Sequence, residues 1–218
     1  MSNDKINVLL DLDNTIINSL EPEELKAINS GLDKETEFES KFNYENMNPY
    51  FRIFARPHLE EFLDYLFDNF NVGVWTAAES EYALFIIKHF IETKPSRKLN
   101  VIFYRYHVDA AERRYGQGKI KDMRLLWEHF KLFNFYPYNT ILIDDLIDVK
   151  QTNHSNVFQL KSFDVLNKDN KPNQAAVIDR ELYNVMDTLE EINKRYKKNH
   201  INNKTIRSKF VPILNLLL

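Results

Sequence analysis

Two acids one residue apart, Asp11 and Asp13, close the apolar run Val8-Leu9-Leu10. Residues i and i+2 of a strand point the same way, so this spacing can set both carboxylates on one face at a strand end. Carboxylates so close repel each other, and a bound cation is the simplest way to hold them together. A nucleophilic carboxylate paired with a proton-donating carboxyl is also a route to group transfer through an acyl-type intermediate. Alone, an Asp-x-Asp reads as solvated acids at a strand end. Two further segments change that reading: Val72-Gly73-Val74-Trp75 runs into Thr76, and Ile141-Leu142-Ile143 runs into Asp144-Asp145. In an open parallel sheet, ligands bind in the crevice outside the carboxyl ends of the strands. All three polar clusters sit at such predicted ends, which argues for one site.

The elements that must position these groups follow from periodicity. Strand-like runs are predicted at 8–10, 50–54, 71–76, 100–104, 140–143 and 157–160. Between them, apolar residues recur at helical spacing: Leu59, Phe62, Leu63, Leu66, Phe67 and Phe70, with Pro57 in the first turn; Tyr82, Phe85, Ile86 and Phe90; Met123, Leu126, Trp127 and Phe130. Alternating strand and helix predicts an α/β fold, a doubly wound, Rossmann-like parallel sheet with right-handed crossovers. Residues 19–48 are polar, acidic and aromatic without strong period, and with the strand at 50–54 they read as a cap or insertion over the site at about 19–55.

The segment Asp11-Leu12-Asp13-Asn14-Thr15 resembles the DxDx(T/V) signature of the haloacid dehalogenase superfamily. Within it the chain is most similar to the RNA polymerase II C-terminal-domain phosphatases and their small, NLI-interacting-factor-like relatives. Arg56-Pro57-His58-Leu59-Glu60-Glu61-Phe62-Leu63, 72–78, Lys121-Asp122-Met123 and 141–145 match further family segments in the same order. Asn14 departs from the Glu that is usual there, and Asp145 from the Asn of many small relatives. The resemblance implies a Mg²⁺-dependent phosphoprotein Ser/Thr phosphatase, a phosphoric monoester hydrolase, acting on a phosphorylated protein or peptide such as a polymerase C-terminal-domain peptide. It implies Asp11 as nucleophile forming an aspartyl phosphate, Asp13 as general acid and then base, and Thr76 and Lys121 as phosphate-binding groups. Metal ligands would come from the carboxylates of Asp11 and Asp145 and the backbone carbonyl of Asp13, with Asp144 either a ligand or an orienting group. Lys119, two residues from Lys121, competes for the lysine role, and Thr15 reads as a turn-stabilising hydroxyl. Two rivals stand beside this reading: a superfamily phosphatase of small phosphate esters or nucleic-acid ends, and a non-catalytic scaffold binding phosphopeptides or a polymerase.

A second insertion is expected at about 104–119, where Tyr104, Tyr106 and Tyr115 could wall a groove for a Pro-containing segment and Arg113 and Arg114 could meet a second phosphate or acidic side chains. Beyond Phe163 no family segment is found. A helical tail is expected over 176–218, with a helix at 177–197 striped by Leu182, Val185, Met186, Leu189, Ile192 and Tyr196. Its closing Lys194-Arg195-Tyr196-Lys197-Lys198 complements the helix dipole, with a nuclear address as the alternative. The apolar 211–218 should pack on its own domain or on a second copy, an opening for a homo-oligomer.

At 218 residues the chain suits one α/β domain spanning 1–218. A net charge of −3 provides no global field toward nucleic acid or membrane, and neither is an expected partner. No Cys occurs, which excludes cysteine-nucleophile phosphatase chemistry and thiolate metal sites. The six His show no paired ligand spacing, which weighs against a two-metal phosphatase. The polar start Met1–Lys5 carries no signal-peptide core, no stretch reaches the ~20 apolar residues of a membrane span, and an intracellular location, cytoplasmic or nuclear, is expected. Poverty in Gly with richness in Asn, Ile, Lys and Phe points to an A+T-rich genome, such as that of a large DNA virus.

Overall fold

The computed structural model describes residues 5–29, 38–202 and 212–217. The expectation drawn from Met1–Lys5 therefore falls, but for its last residue, outside the described residues. The strands are β1 (Asn7–Leu10), β2 (Ile17–Leu20), β3 (Tyr44–Met47), β4 (Phe51–Ala55), β5 (Asn71–Trp75), β6 (Ile102–Phe103), β7 (Thr140–Asp144) and β8 (Val157–Gln159). Five form a wholly parallel sheet in the order β6-β5-β1-β7-β8, and β2-β4-β3 form a separate antiparallel sheet. β1 thus lies centrally, and the strand order reverses around it, which makes its carboxyl end the switch point of the sheet.

Register fixes what meets there. Leu10 pairs with Val74 on one side and Ile143 on the other. The next residue, Asp11, continues the ladder by donating its backbone N–H to the Ile143 carbonyl at 3.0 Å. Asp11 therefore emerges level with Trp75 and Asp144, with Thr76 and Asp145 one residue beyond.

The helices are α1 (Pro22–Asn29), α2 (Leu59–Asn69), α3 (Ser80–Ile86), α4 (Arg105–Tyr115), α5 (Ile147–Thr152), α6 (Gln174–Val177) and α7 (Glu181–Asn202). Alternation along the strands builds a core on each face of the parallel sheet. Val8, Leu10, Val72, Val74, Ile141 and Ile143 pack with α2, α3 and α7 on one face; Leu9, Trp75 and Leu142 pack with α4, α5 and the 125–129 segment on the other. Each fully buried Leu, Ile or Phe contributes about 1.5–3 kcal/mol. Gly73 keeps the second face close: a Cβ there would stand 2.7 Å from side-chain carbons of both Leu9 and Val101.

Several expectations are corrected. α2 begins at Leu59 after a left-handed His58 (φ 68°), so Pro57 lies before the helix rather than in its first turn. The stretch 123–130 is not one regular helix: a π-helical turn spans Leu125–His129, buries Leu125, and leaves Trp127 half-buried and Phe130 exposed. Another π turn, Ile87–Ile91, closes the helix begun by α3. The region 19–48, read as lacking period, carries the end of β2, α1 and β3; the strand expected at 50–54 is β4, and a cis peptide at Asn48-Pro49 lies in the β3–β4 turn. Within the stretch 104–119, where an insertion is expected, residues 105–115 form α4, ended by left-handed Gly116 (φ 68°).

In the tail, α7 starts at Glu181, later than read from the sequence, and buries Leu182, Val185, Leu189, Ile192 and Tyr196 as its stripe requires. Lys194 and Arg195 pair with Glu190 and Glu191 one turn back, each at 2.6 Å. The apolar end docks on its own chain: Ile213 is fully buried, its N–H bonds the Pro137 carbonyl, and Arg195 holds the Leu216 carbonyl. No helix among the described residues is long and apolar enough to cross a membrane.

Candidate active site

The turn after β1 shapes the site. The Leu12 carbonyl accepts from the N–H groups of Thr15, Ile16 and Ile17, and Asn14 adopts φ 56°, a left-handed conformation that Asn tolerates. The Asn14 amide donates to Asp164 Oδ1 at 2.7 Å, and its carbonyl accepts from Phe163 N. This tie between the turn and 163–164 had no sequence signal. Arg56, 1 % exposed, braces the same turn: it reaches the Thr15 carbonyl at 2.9 Å, the Lys161 carbonyl at 2.8 Å and both Asp179 oxygens at 2.9 Å. The Arg-Pro pair therefore joins the site to the start of α7.

Lys121 is 3 % exposed and lies between two carboxylates, 2.5 Å from Asp11 Oδ1 and 2.7 Å from Asp144 Oδ2. Lys119 is exposed, so the lysine at this site is Lys121. Asp144 has both oxygens engaged, Oδ2 by Lys121 and Oδ1 by the Leu146 N–H at 2.9 Å. Thr15 is not merely a turn hydroxyl: its Oγ1 stands 3.3 Å from both Asp11 Oδ2 and Asp145 Oδ1, within reach of either for its single proton. Thr76 is buried at the end of β5; its N–H bonds the Phe103 carbonyl and its Oγ1 accepts from Ala78 N at 3.1 Å, which leaves its own proton free to donate.

Asp13 points elsewhere. Its Oδ1 accepts from the hydroxyl of Tyr82 on α3, which also meets Ser19 Oγ of β2. The two acids of the opening motif thus diverge, Asp11 into the lysine cluster and Asp13 into an adjoining cleft. That cleft holds about 610 Å³, and its walls include Met47, Tyr50, Phe51 and Ala77, with Arg105 at its edge. Tyr104, Tyr106 and Tyr115 do not line it; the aromatic wall comes from the antiparallel sheet and Tyr82 instead.

Electrostatics favour a cation here. Oxygens of Asp11, Asp144 and Asp145 all lie within 4.8 Å of one another. Burial pushes the Asp11 carboxyl up to about 8, opposed by Lys121 and reinforced by Asp144. Burial likewise raises Asp13, opposed by the Tyr82 hydrogen bond, and Asp145, reinforced by Asp144. Lys121 is raised in turn, because attraction to Asp11 and Asp144 outweighs its desolvation, so it stays charged. One ammonium among these carboxylates leaves negative charge uncompensated, and an all-oxygen donor set suits a hard divalent ion.

Comparison with known proteins gives the chain its relatives. The CTD phosphatase-like protein 355R of Invertebrate iridescent virus 6 is 40% identical over 185 residues, 84% of this chain and 96% of that protein. Its namesake in Invertebrate iridescent virus 3 is 37% identical over 196 residues, 87% of this chain and 97% of that protein. Both are viral, in line with the composition. The solved structure of Fcp1, an RNA polymerase II CTD phosphatase, superposes with TM-score 0.68 at 17% identity over 98% of this chain and 69% of that one. The fission yeast Fcp1 variant bound to beryllium fluoride gives 0.66 at 16% identity, over 98% and 70% of the two chains. These two likenesses establish the haloacid dehalogenase-type fold. The profile of the NLI interacting factor-like phosphatases matches residues 6–200, and the chain belongs to that family of haloacid dehalogenase-type phosphoric monoester hydrolases.

Proposed function

We propose that this protein is a Mg²⁺-dependent phosphatase that removes phosphate from phosphoserine or phosphothreonine in a polypeptide through an aspartyl phosphate on Asp11. The observation that carries the reading is the divergence of the two acids. Asp11 is held beside a buried ammonium, where a phosphoryl group would be welcomed, while Asp13 faces an open cleft, where a leaving group would lie.

In the first step an Asp11 oxygen attacks phosphorus; the new O–P bond forms as the P–O bond to the side-chain oxygen breaks. An alkoxide is a poor leaving group, and Asp13 gives it a proton; such a positioned acid is worth about 10²–10⁴-fold. Asp13, now ionised, takes a proton from water, which attacks phosphorus and releases phosphate, returning Asp11 as a carboxylate. Lys121 sets a fixed positive charge against the phosphoryl oxygens, and Thr76 offers its hydroxyl proton to one of them. Asp144 positions Lys121, since both of its oxygens are already committed. The carboxylates of Asp11 and Asp145 with the Asp13 carbonyl fit Mg²⁺, which supplies Lewis-acid stabilisation of charge on the phosphoryl oxygens when bound.

The polypeptide substrate is supported by the family and by the cleft's apolar wall, which suits an extended peptide better than a polar sugar phosphate. The test is a panel of a doubly phosphorylated Tyr-Ser-Pro-type peptide, phosphosugars and an aryl phosphate, each with and without Mg²⁺. Peptide preference, Mg²⁺ dependence, inhibition by beryllium fluoride and complete loss of turnover in a folded Asp11→Asn protein are expected. Faster turnover of phosphosugars than of any phosphopeptide overturns the substrate assignment.

A further inference from the structure

A second concavity flanks α4, and the proposed reaction makes no use of it. It holds about 220 Å³ and is walled by Tyr106, Ala110, Arg113 and Arg114 of α4 together with His129 and Phe130. Positions 106, 110, 113 and 114 lie on one helical face, so the helix presents an aromatic ring and two guanidinium groups side by side. Arg113 and Arg114 are exposed, and among the described residues neither has a carboxylate within ion-pair distance. The Arg113 guanidinium stands 6.0 Å from the Tyr106 ring centroid. Tyr106 is 59% exposed and Phe130 38%.

The C-terminal end of a helix favours cations, and that accounts for the arginines in part. It does not account for exposed aromatic rings beside them. Paired and unpaired cations also differ on this surface: Arg124 nearby is tied to Asp122 and stacked over Tyr115, whereas Arg113 and Arg114 keep their donors free. On a chain of net charge −3 this is a local concentration of positive charge with apolar footing. Free guanidinium forks match carboxylates in bidentate geometry, and the rings cover the aliphatic stems of acidic side chains. The place is informative too. Arg105 edges the catalytic cleft and Tyr106 walls this concavity, so the two meet at the first turn of α4.

We propose that this concavity docks an acidic, carboxylate-rich segment flanking the phosphorylated residue of the same polypeptide substrate. The inference rests on the phosphoprotein reading of the active site. From Arg105 to Arg113 the helix advances about 12 Å at ~1.5 Å per residue. An extended peptide covers that in about four residues. The acidic segment accordingly begins roughly four to six residues from the phosphorylated one.

The experiment uses the Asp11→Asn protein as a trap and fluorescence anisotropy with labelled phosphopeptides. The peptides share one phosphoserine and carry a four-residue Asp/Glu block on its amino side, on its carboxyl side, or in its place Asn/Gln or a second phosphoserine. One acid-flanked peptide is expected to bind about tenfold tighter than the neutral one. That gain should disappear in Arg113→Ala/Arg114→Ala and shrink in 0.5 M salt on the unmutated surface. The double variant in the otherwise wild-type enzyme should keep full aryl phosphatase activity, which also reports that it folds. A gain that survives loss of both arginines, or no gain on either side, overturns the proposal. So does an arginine-dependent gain seen only when a second phosphoserine replaces the acidic block. Turnover of the neutral phosphopeptide by the wild-type enzyme scores the active site separately. Its absence defeats the phosphoprotein reading, whereas its presence without an arginine-dependent gain defeats only the docking surface.

Discussion

The phenol of Tyr82 donates its hydrogen bond to Asp13 Oδ1, and this contact spans 69 residues of sequence. It orients the carboxyl toward the cleft and away from Lys121. Removing the hydroxyl in Tyr82→Phe frees the Asp13 side chain to rotate and takes away the larger of the hydrogen bonds that oppose its raised pKa. A single hydrogen bond is worth about 1 kcal/mol, so kcat on an alkyl phosphate is expected to fall about five- to tenfold. An aryl phosphate, whose leaving group needs little protonation, should lose less than twofold. Equal losses on both substrates would assign Tyr82 to binding rather than to the acid.

The proposed proton donation also sets a pH dependence. If Asp13 is the acid, it must be protonated for the first step, so activity on alkyl esters is expected below its pKa and lost as pH rises through it. Burial raises that pKa above the ordinary carboxylate range, so the limb should lie above the range of a free aspartate. The limb should move further up in Tyr82→Phe and flatten in Asp13→Asn. Steady-state pH–rate profiles with alkyl and aryl esters measure this directly; a limb unmoved by either substitution belongs to another group.

Much of this arrangement was open to a reader of the sequence, and the reason is periodicity. β1, β5 and β7 are buried on both faces and read as continuous apolar runs, and the stripe of α2 repeats at helical spacing. Their ends fix where Asp11, Thr76 and Asp144-Asp145 gather. The partners of those residues were not legible, because a contact between Tyr82 and Asp13, or between Arg56 and Asp179, leaves no local pattern. α4 was missed because only Val108 and Ala111 of its face are buried. The 125–129 segment was misread because a π turn rotates the apolar face, taking in Leu125 and turning Phe130 outward.

Cation binding and protonation compete at the carboxylate cluster. Asp11 is pushed up to about 8, and the folded apoprotein therefore binds a proton that the unfolded chain releases near pH 4. Between those values the apoprotein loses stability as pH rises. Ligation requires the ionised form, so Mg²⁺ affinity should climb across the same window and level off above it, with a proton released on binding. The rise in Tm on adding Mg²⁺ is expected to be larger at pH 8 than at pH 5.5. Calorimetry in two buffers of different ionisation enthalpy counts the proton; a pH-independent affinity would contradict the raised Asp11.

Lys121 is the counter-charge of the buried carboxylate cluster that the proposed reaction uses. Substitution by Met leaves Asp11 and Asp144 buried side by side with no counter-charge, and breaking a buried pair in this way costs about 3–5 kcal/mol. Urea unfolding of Lys121→Met should show that loss in the apoprotein and partial recovery with Mg²⁺, while turnover stays abolished. Asp144→Asn keeps a partner for the Leu146 N–H and removes one acid, so its loss of stability should be under half as large.

The Arg56–Asp179 pair offers the last test, because it joins the catalytic turn to the start of α7. Arg56 has all of its bonds inside the protein, and Asp179 also accepts from Glu181 N, capping the helix. Arg56→Ala strands the Thr15 and Lys161 carbonyls and leaves the mostly buried Asp179 carboxylate unpaired, at about 3 kcal/mol or more. Asp179→Asn keeps the cap and one bond to the guanidinium, so it should cost about half as much. In a double-mutant cycle the two should couple by more than 1 kcal/mol, since they share one network. Because the Thr15 carbonyl loses its anchor, kcat should fall in Arg56→Ala even where the protein is fully folded. Full activity per folded molecule, measured by active-site titration with beryllium fluoride, would confine Arg56 to stability alone.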